Sequence, residues 1–464
     1  MSQPLFRTPK GTHDVLPEDH QYMTYIKKAV RHRARQAGFK RIDTPIFESR
    51  GVFERGVGEH TDVVEKEMYF VTAKTRDAKE REDEESREAP SAPRDVPEFA
   101  LRPEFTAGIC RAYIEHGMQQ LPQPVQLYCI GPLFRHDRPQ KGRYREHHQF
   151  DFEIIGLKDP SLDAQLIHIL TKIYADIRIL DRLMLQLNNI GTGENRRAFA
   201  AALQDFFIGK EQRLPEIDRS RLLTNPLRLL DSKEEDTQLI LRSAPKLSQF
   251  VSEESRQYHA TLCECLSILG IPYRENAGLV RGFDYYTQTV FEFWDATTGA
   301  QNATGGGGRY DGLIELLGGH PTPGTGFGSG LERVIWQMKE AGVRVPNKDQ
   351  IDIFVAQLGS EAKKQCLLLI AELREKGIHT LGSLGEASLK SQMGLADKFG
   401  ARYALVLGKL EVKKGTIILR DMKAGKQKEI PSDTAIPEVL RLLGQSKLDT
   451  YVINDQMGPE FDED

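Results

Sequence analysis

The segment GTGFGSGLERVIWQM, residues 324–338, constrains this chain more than any other. Glycines at 324, 326, 328 and 330 occupy alternate positions, so in an extended backbone they share one face of a strand. That face carries no side chains and offers a flat floor on which a planar group can lie. Glu332 and Arg333 then open a helix, where a guanidinium can stack on that group or reach a phosphate. Such a strand needs sheet partners, and the chain supplies two upstream. VQLYCIGPLFRH and HHQFDFEIIG, separated by the polar DRPQKGRYRE, predict a hairpin. Alternation places Gln149, Asp151 and Glu153 on one face of its second strand and Phe150, Phe152 and Ile154 on the other. The hairpin loop sets Arg135, Arg138, Lys141, Arg143 and Arg145 against Asp137 and Glu146, a density of cations that suits a polyanion. Arg135 ends its strand, so its fork projects from a rigid element and is suited to bidentate phosphate binding.

The rest of the chain frames these segments. With 464 residues it exceeds what one hydrophobic core supports, which predicts two or three domains. A net charge of -4 argues against indiscriminate nucleic-acid binding, so any RNA contact must be a local basic patch. No apolar run approaches the roughly 20 residues that span a bilayer. The N-terminus lacks the apolar stretch of a secretory signal, and a cytoplasmic protein without membrane partners is expected. Five scattered cysteines form no CxxC pair and no cluster at the usual zinc spacing. Buried free thiols in a reducing compartment are expected, with no structural metal and no zinc.

Residues 19–37 predict a helix with Met23, Ile26, Val30 and Ala34 on one face and Gly38 at its C-terminal end. Arg41 to Phe47 reads as extended. The charged, proline-rich stretch 75–98 reads as a solvated loop. Residues 160–184 and 195–270 have helical patterns and no chemical motif; the second reads as an inserted helical module. Strands and glycine turns return at 278–312. Residues 339–350 read as a linker, followed by an α/β pattern in which IDIFVAQLG and RYALVLG are strands, SEAKKQCLLLIAELREKG and LKSQMGLADKFG helices, and KGTIILRDMKAGKQKEI a hairpin. The acidic end, DQMGPEFDED, reads as a fraying tail.

Taken together, the N-terminal helix leading to a strand with Pro45, the FRHDRPQKGRYR hairpin and GFGSGLER resemble motifs 1, 2 and 3 of class II aminoacyl-tRNA synthetases. LVRGFDYYT (279–287) and GGGGRYDGL (305–313) resemble the two histidine-specific signatures of the histidyl enzymes, and LRPEFTAG (101–108) resembles their amino-acid-binding turn. The resemblance extends over essentially the whole chain. It implies an α+β catalytic domain over residues 1–338 on an antiparallel sheet of six or seven strands. Motif 1 lies around 19–47, motif 2 around 127–156, motif 3 at 324–338, and a helical insertion at about 190–270. A linker (339–350), an α/β anticodon-binding domain (351–450) and an acidic tail (451–464) follow.

The implied reaction is ATP-dependent activation of L-histidine to its adenylate, then transfer to the 3′ end of tRNA(His) by a homodimer. By position, Arg135 and Arg281 would hold the α-phosphate and stabilise the charge that develops as the histidine carboxylate attacks. That is catalysis by positioning and electrostatics, with no general base. Arg143, His147 and Arg333 would bind the rest of ATP, with Mg²⁺ carried on its β and γ oxygens. Glu104, Thr106 and Gln149 would receive the α-ammonium and orient the carboxylate. Glu153 and Tyr286 would bond the imidazole nitrogens, with Arg281, Tyr285 and Tyr310 completing the histidine pocket. Gln140 and Arg145 would face the tRNA acceptor end. The chain departs from the pattern at His147, where an aromatic commonly faces adenine, and at Phe105 and Phe283, which are bulkier and are expected to reshape the pocket rim. A histidine-binding regulatory paralogue would lack parts of these signatures and the C-terminal module. A threonyl or prolyl enzyme would lack VRGFDYYT and GGGGRYDGL.

Overall fold

The computed structural model describes residues 5–72, 99–139, 142–295, 303–346 and 350–444, apart from 59, 60, 62, 233, 384, 386 and 387. The stretches 75–98 and 451–464, and Gln140 with Lys141, lie outside the described residues. The chain divides into two compact units, Met1–Val345 and Pro346–Asp464.

In the first unit the strands are β1 (Lys40–Arg41), β2 (Phe47–Ser49), β3 (Phe70–Val71), β4 (Phe99–Leu101), β5 (Val125–Phe134), β6 (Glu146–Ile155), β7 (Leu183–Asn189), β8 (Tyr273–Glu275), β9 (Thr287–Asp295), β10 (Ala303–Arg309) and β11 (Gly324–Gly330). Eight of them form one sheet in the order β1-β5-β6-β11-β10-β9-β7-β8, while β2, β4 and β3 form a small sheet of their own. The six central strands of the large sheet are antiparallel neighbours. Short parallel strands, β1 on β5 and β8 on β7, close the two edges. This is one or two strands wider than the expected six or seven, because segments of two and three residues are too short to carry a period.

One face of this sheet is the core. Met23, Ile26, Val30 and Ala34, on the helix Pro17–Gln36, are each at most 2% exposed and pack in one cluster with Phe150, Phe152, Ile154 and Phe327. Phe152 stacks on Phe327 at 5.1 Å and on Tyr128 at 5.6 Å between centroids. Each such buried side chain contributes roughly 1.5–3 kcal/mol. The helix Pro160–Asp176 covers the same face; Asp159 starts it by accepting a 2.8 Å bond from the Ser161 amide, with Pro160 in the first turn. The 160–184 stretch is therefore not helical throughout: the helix ends at Asp176, and Leu183 begins β7.

The expected insertion also divides. Phe207, Leu214, Leu222, Leu229 and Ile240 make a satellite core of their own. The helix Glu253–Ile268 instead buries Leu262 and Leu266 in the main core. The motif 3 helix, Leu331–Glu340, runs two residues into the stretch read as a linker.

The second unit is a five-stranded sheet of β12 (Ile353–Gln357), β13 (Thr380–Gly382), β14 (Tyr403–Leu407), β15 (Thr416–Asp421) and β16 (Gln427–Pro431), in the order β13-β12-β14-β15-β16. The first three are parallel neighbours and the last two extend the sheet antiparallel. Ile353 and Val355 face Cys366 and Ile370, whereas Phe354 and Ala356 face Ala396, so both sides of β12 are covered. Among the described residues no helix is long and apolar enough to cross a membrane.

Candidate active site

The other face of the large sheet opens into a cavity of about 690 Å³, within the range of small-molecule sites. Its floor follows from strand register. β11 pairs with β6 so that Gly326 opposes Glu153, Gly328 opposes Asp151 and Gly330 opposes Gln149. A Cβ at Gly326 would collide with Glu153 Oε2, and one at Gly307 with the Gly326 carbonyl. The glycines thus let neighbouring strands and the polar side chains of β6 crowd together.

Glu153 is 1% exposed, yet both its oxygens are bonded: Thr106 Oγ1 donates to Oε1 at 2.8 Å and Tyr310 OH donates to Oε2. Burial holds its carboxyl well above the usual range; the Tyr310 bond opposes that shift, and Asp151 adds to it. Burial likewise raises Asp151, reinforced by Glu104 and opposed by Arg135. Glu104 accepts from the amides of Thr106 (2.7 Å) and Ala107 (2.8 Å), capping the helix Thr106–Glu115; burial raises its pKa and those amides oppose the rise. The Tyr285 and Tyr286 rings lie 4.6 Å apart at a 50° tilt, with Tyr285 5.9 Å from Tyr310, and all three line the cavity.

The cationic side is built from separate elements. Arg135 Nε donates to the Pro103 carbonyl at 2.8 Å while its guanidinium lies 5.3 Å over the Phe283 ring. Arg281 donates to Glu292 and to the Gly306 carbonyl (3.3 Å), and lies 5.4 Å over Tyr286. Burial opposes its charge, but Tyr286 and Glu292 outweigh that and raise its pKa. Arg333 donates to the carbonyls of Ala303 and Gly142. Arg143 makes a 3.3 Å ion pair with Asp137.

Burial first, then Arg135, His148 and Arg333, push the pKa of His147 down to about 3. Its buried Nδ1 has no hydrogen-bond partner among the described residues.

Of the expected site residues, Glu104, Thr106, Arg135, Arg143, His147, Gln149, Arg281, Tyr285, Tyr286, Tyr310 and Arg333 all line this one cavity; Glu153 does not, and stands buried behind Thr106 and Tyr310, which bond its two oxygens. Gln140 lies outside the described residues. Arg145 does not line the cavity; its guanidinium donates to the carbonyls of Asp137 (3.4 Å) and Lys10 (3.2 Å), tying the loop to the N-terminal segment. Phe283 lines the cavity, whereas Phe105 is buried beneath the Arg102 guanidinium, 4.6 Å from its ring.

Several wall residues have no role assigned from the sequence. Glu292 holds Arg281 and accepts from Trp294 Nε1 at 2.7 Å. Glu332 accepts from the His148 amide and contacts its ring. Arg228 and Gln238 bring the helical insertion to the outer wall. Asp151 shares the stripe of Gln149 and Glu153, which is the signal that could have found it.

A sequence profile described as histidyl-tRNA synthetase matches residues 94–334, and one described as an anticodon binding domain matches residues 352–442. The chain is 42% identical over 435 residues to a histidine–tRNA ligase of Dehalococcoides mccartyi, a span covering 94% of this chain and 99% of that protein. This chain belongs to the histidyl-tRNA synthetase family. A histidine–tRNA ligase of Acetivibrio thermocellus is 40% identical over 432 residues, covering 93% of this chain and 99% of that one. The crystal structure of the apo histidyl-tRNA synthetase of S. aureus superposes with a TM-score of 0.75 at 32% identity, across 94% of this chain and 100% of that one. The fold is accordingly the family's: an antiparallel-sheet catalytic domain followed by an anticodon-binding domain.

Proposed function

We infer that this cavity is where the chain, a histidine–tRNA ligase, activates histidine with ATP before loading it onto tRNA. The observation that carries the residue assignment is that buried acids and arginines share one cavity. Asp151 lies within electrostatic reach of Arg135 and Arg281 and Glu104 of Arg135, with Glu153 behind them, whereas Arg333 lies within reach of Arg143. A zwitterionic amino acid fits with its ammonium and imidazole toward the acids and its carboxylate toward Arg135 and Arg281. Glu153 and Tyr286 then bond the imidazole; a site that pairs both ring nitrogens rejects apolar isosteres, which would leave buried polar groups unpaired. The α-phosphate of ATP meets the carboxylate between the two arginines, and Arg333 and Arg143 hold the adenine and outer phosphates.

The residues fit Mg²⁺ arriving with ATP. It would be held mainly by the phosphates, with Glu292 and Glu332, whose oxygens already bond Arg281, Trp294 and His148, as the carboxylates on the arginine side, and it would supply charge neutralisation there. The acceptor end of tRNA enters beside the 137–145 loop. A homodimer is supported by the small sheet near the N-terminus, where Ile46, Phe47, Phe70 and Phe99 leave apolar surface exposed.

The test is pyrophosphate–ATP exchange with each of the twenty amino acids. Exchange with histidine alone is expected; exchange with another amino acid, or none with histidine, would overturn the reading.

A further inference from the structure

A cluster outside the cavity takes no part in the chemistry described above. His259 and Cys263 stand four residues apart on the helix Glu253–Ile268, which places them one turn apart on the same face. The chain then turns through residues 269–272 into β8, whose last residue, Glu275, faces that pair. His259 Nε2 is 2.8 Å from Glu275 Oε1. Cys263 Sγ is 3.7 Å from His259 Nε2 and 3.5 Å from Glu275 Oε1. All three donor atoms lie within 4.8 Å of one another. Nε2 is thus the ring nitrogen turned toward the other two groups, while Nδ1 is buried without a hydrogen-bond partner among the described residues.

Ligand atoms at the usual tetrahedral zinc distances of about 2.0–2.3 Å stand roughly 3.3–3.8 Å from one another. Both distances to Cys263 already satisfy this. The imidazole–carboxylate distance needs to open by about half an ångström on the same geometry, and Glu275, whose side chain is 55% exposed, has room to swing outward. We propose that His259, Cys263 and Glu275 form a site for a zinc-type divalent ion, with water completing the fourth position. The thiolate excludes the hard ions Mg²⁺ and Ca²⁺, and imidazole with one carboxylate favours a borderline ion. Thiolate and carboxylate together balance its two positive charges; loading releases the thiol proton to solvent.

The site lies at a place where a staple has a use. β8 is a three-residue edge strand held only by parallel pairing to β7 among the described residues. The residues that follow it, from Asn276 to Arg281, run into the cavity wall, and Asn276 anchors them through a 2.9 Å bond from its amide to the Leu187 carbonyl. An ion bridging the helix to Glu275 therefore fixes the root of the segment that carries Arg281. The usual reading of cysteine spacing misses the site, because it seeks CxxC pairs whereas here the partner of Cys263 is a histidine one helical turn away. The expectation of a chain without zinc gives way to this proposal.

The full-length chain, stripped with a chelator, is titrated with Co²⁺ and followed by absorption, with Zn²⁺ competition by calorimetry. One equivalent of Co²⁺ with a thiolate-to-cobalt charge-transfer band, displaced by Zn²⁺, is expected. Cys263→Ser should abolish the band, Cys265→Ser should keep it, and Glu275→Gln should weaken binding by roughly tenfold or more. Circular dichroism verifies that each variant is folded. Absence of the band in the wild type, its persistence in Cys263→Ser, or its loss in Cys265→Ser would each overturn the proposal.

Discussion

Replacing Tyr310 by Phe probes the proposed histidine pocket with little disturbance to its shape. Tyr310 is 1% exposed and its ring packs against Tyr285 at 5.9 Å; Phe keeps that ring and its volume. What is lost is the hydroxyl that donates to Glu153 Oε2, leaving the carboxyl with Thr106 Oγ1 alone. A hydrogen bond to a charged, buried partner contributes about 1.5–3 kcal/mol. At about 1.4 kcal/mol per decade, kcat/KM for histidine should fall roughly 10- to 150-fold in pyrophosphate exchange. The KM for ATP should change by less than about twofold, since the arginines proposed to hold it do not touch Tyr310. The pH dependence has a definite sign. The Tyr310 bond favours ionised Glu153, so its removal raises that pKa further. A cationic ligand group needs the ionised carboxylate, so the variant's deficit should shrink as pH rises. A loss below twofold, or equal losses for histidine and ATP, would refute the assignment of Glu153 to histidine recognition.

Two further expectations concern stability. Arg309 is fully buried and pairs with Asp163 (3.2 Å), itself fully buried, and with Asp311 (3.0 Å). Arg309→Met should cost about 3–5 kcal/mol, with Asp163→Asn restoring part of it. Both tryptophans, Trp294 and Trp336, lie in the catalytic unit, so fluorescence-monitored urea unfolding reports that unit; a loss below about 1 kcal/mol would contradict the ion pair's burial. His147, held down to about 3, lies below its unfolded value, so its contribution is present above the ordinary histidine range and is lost as pH falls toward 3. Between about pH 6.5 and pH 4 the wild type should lose up to about 1.4 kcal/mol per pH unit more than His147→Phe. Parallel stability curves would show that His147 is not held neutral.

What could be read from the sequence was local. The stripe Gln149-Asp151-Glu153 and the alternating glycines need only a period of two, and register then brings them face to face. The buried face of the first helix needs only a period near 3.6. What could not be read was long-range or too short. Glu292 sits in an apolar-rich strand, and nothing nearby signals that it will hold Arg281, eleven residues back across a turn. The insertion lacks a chemical motif, yet Arg228 and Gln238 reach the cavity because a satellite core of its own carries them there. At Leu183 a helical pattern passes directly into a strand whose inward residues, Leu185 and Leu187, are as apolar as a helix face.

The placement of arginines in the cavity follows from the reaction it is proposed to perform. The attacking group, a carboxylate, and its target, an α-phosphate, are both anions. Brought to about 3.5 Å at an effective dielectric near 20, two unit charges repel by about 5 kcal/mol. An acid or base catalyst does nothing for that barrier; fixed positive charge on both sides does. Arg135 and Arg281 meet the requirement only if they are already in place, because a side chain that must be ordered at the moment of reaction gives back entropy. Each is therefore tied down from behind by a group that is not substrate: Arg135 by the Pro103 carbonyl, Arg281 by Glu292 and the Gly306 carbonyl. Glu292 partly neutralises the field of Arg281, which would be wasteful if charge alone mattered. It is the expected cost of orientation, and it explains why an acid stands behind a cation whose task is to attract anions.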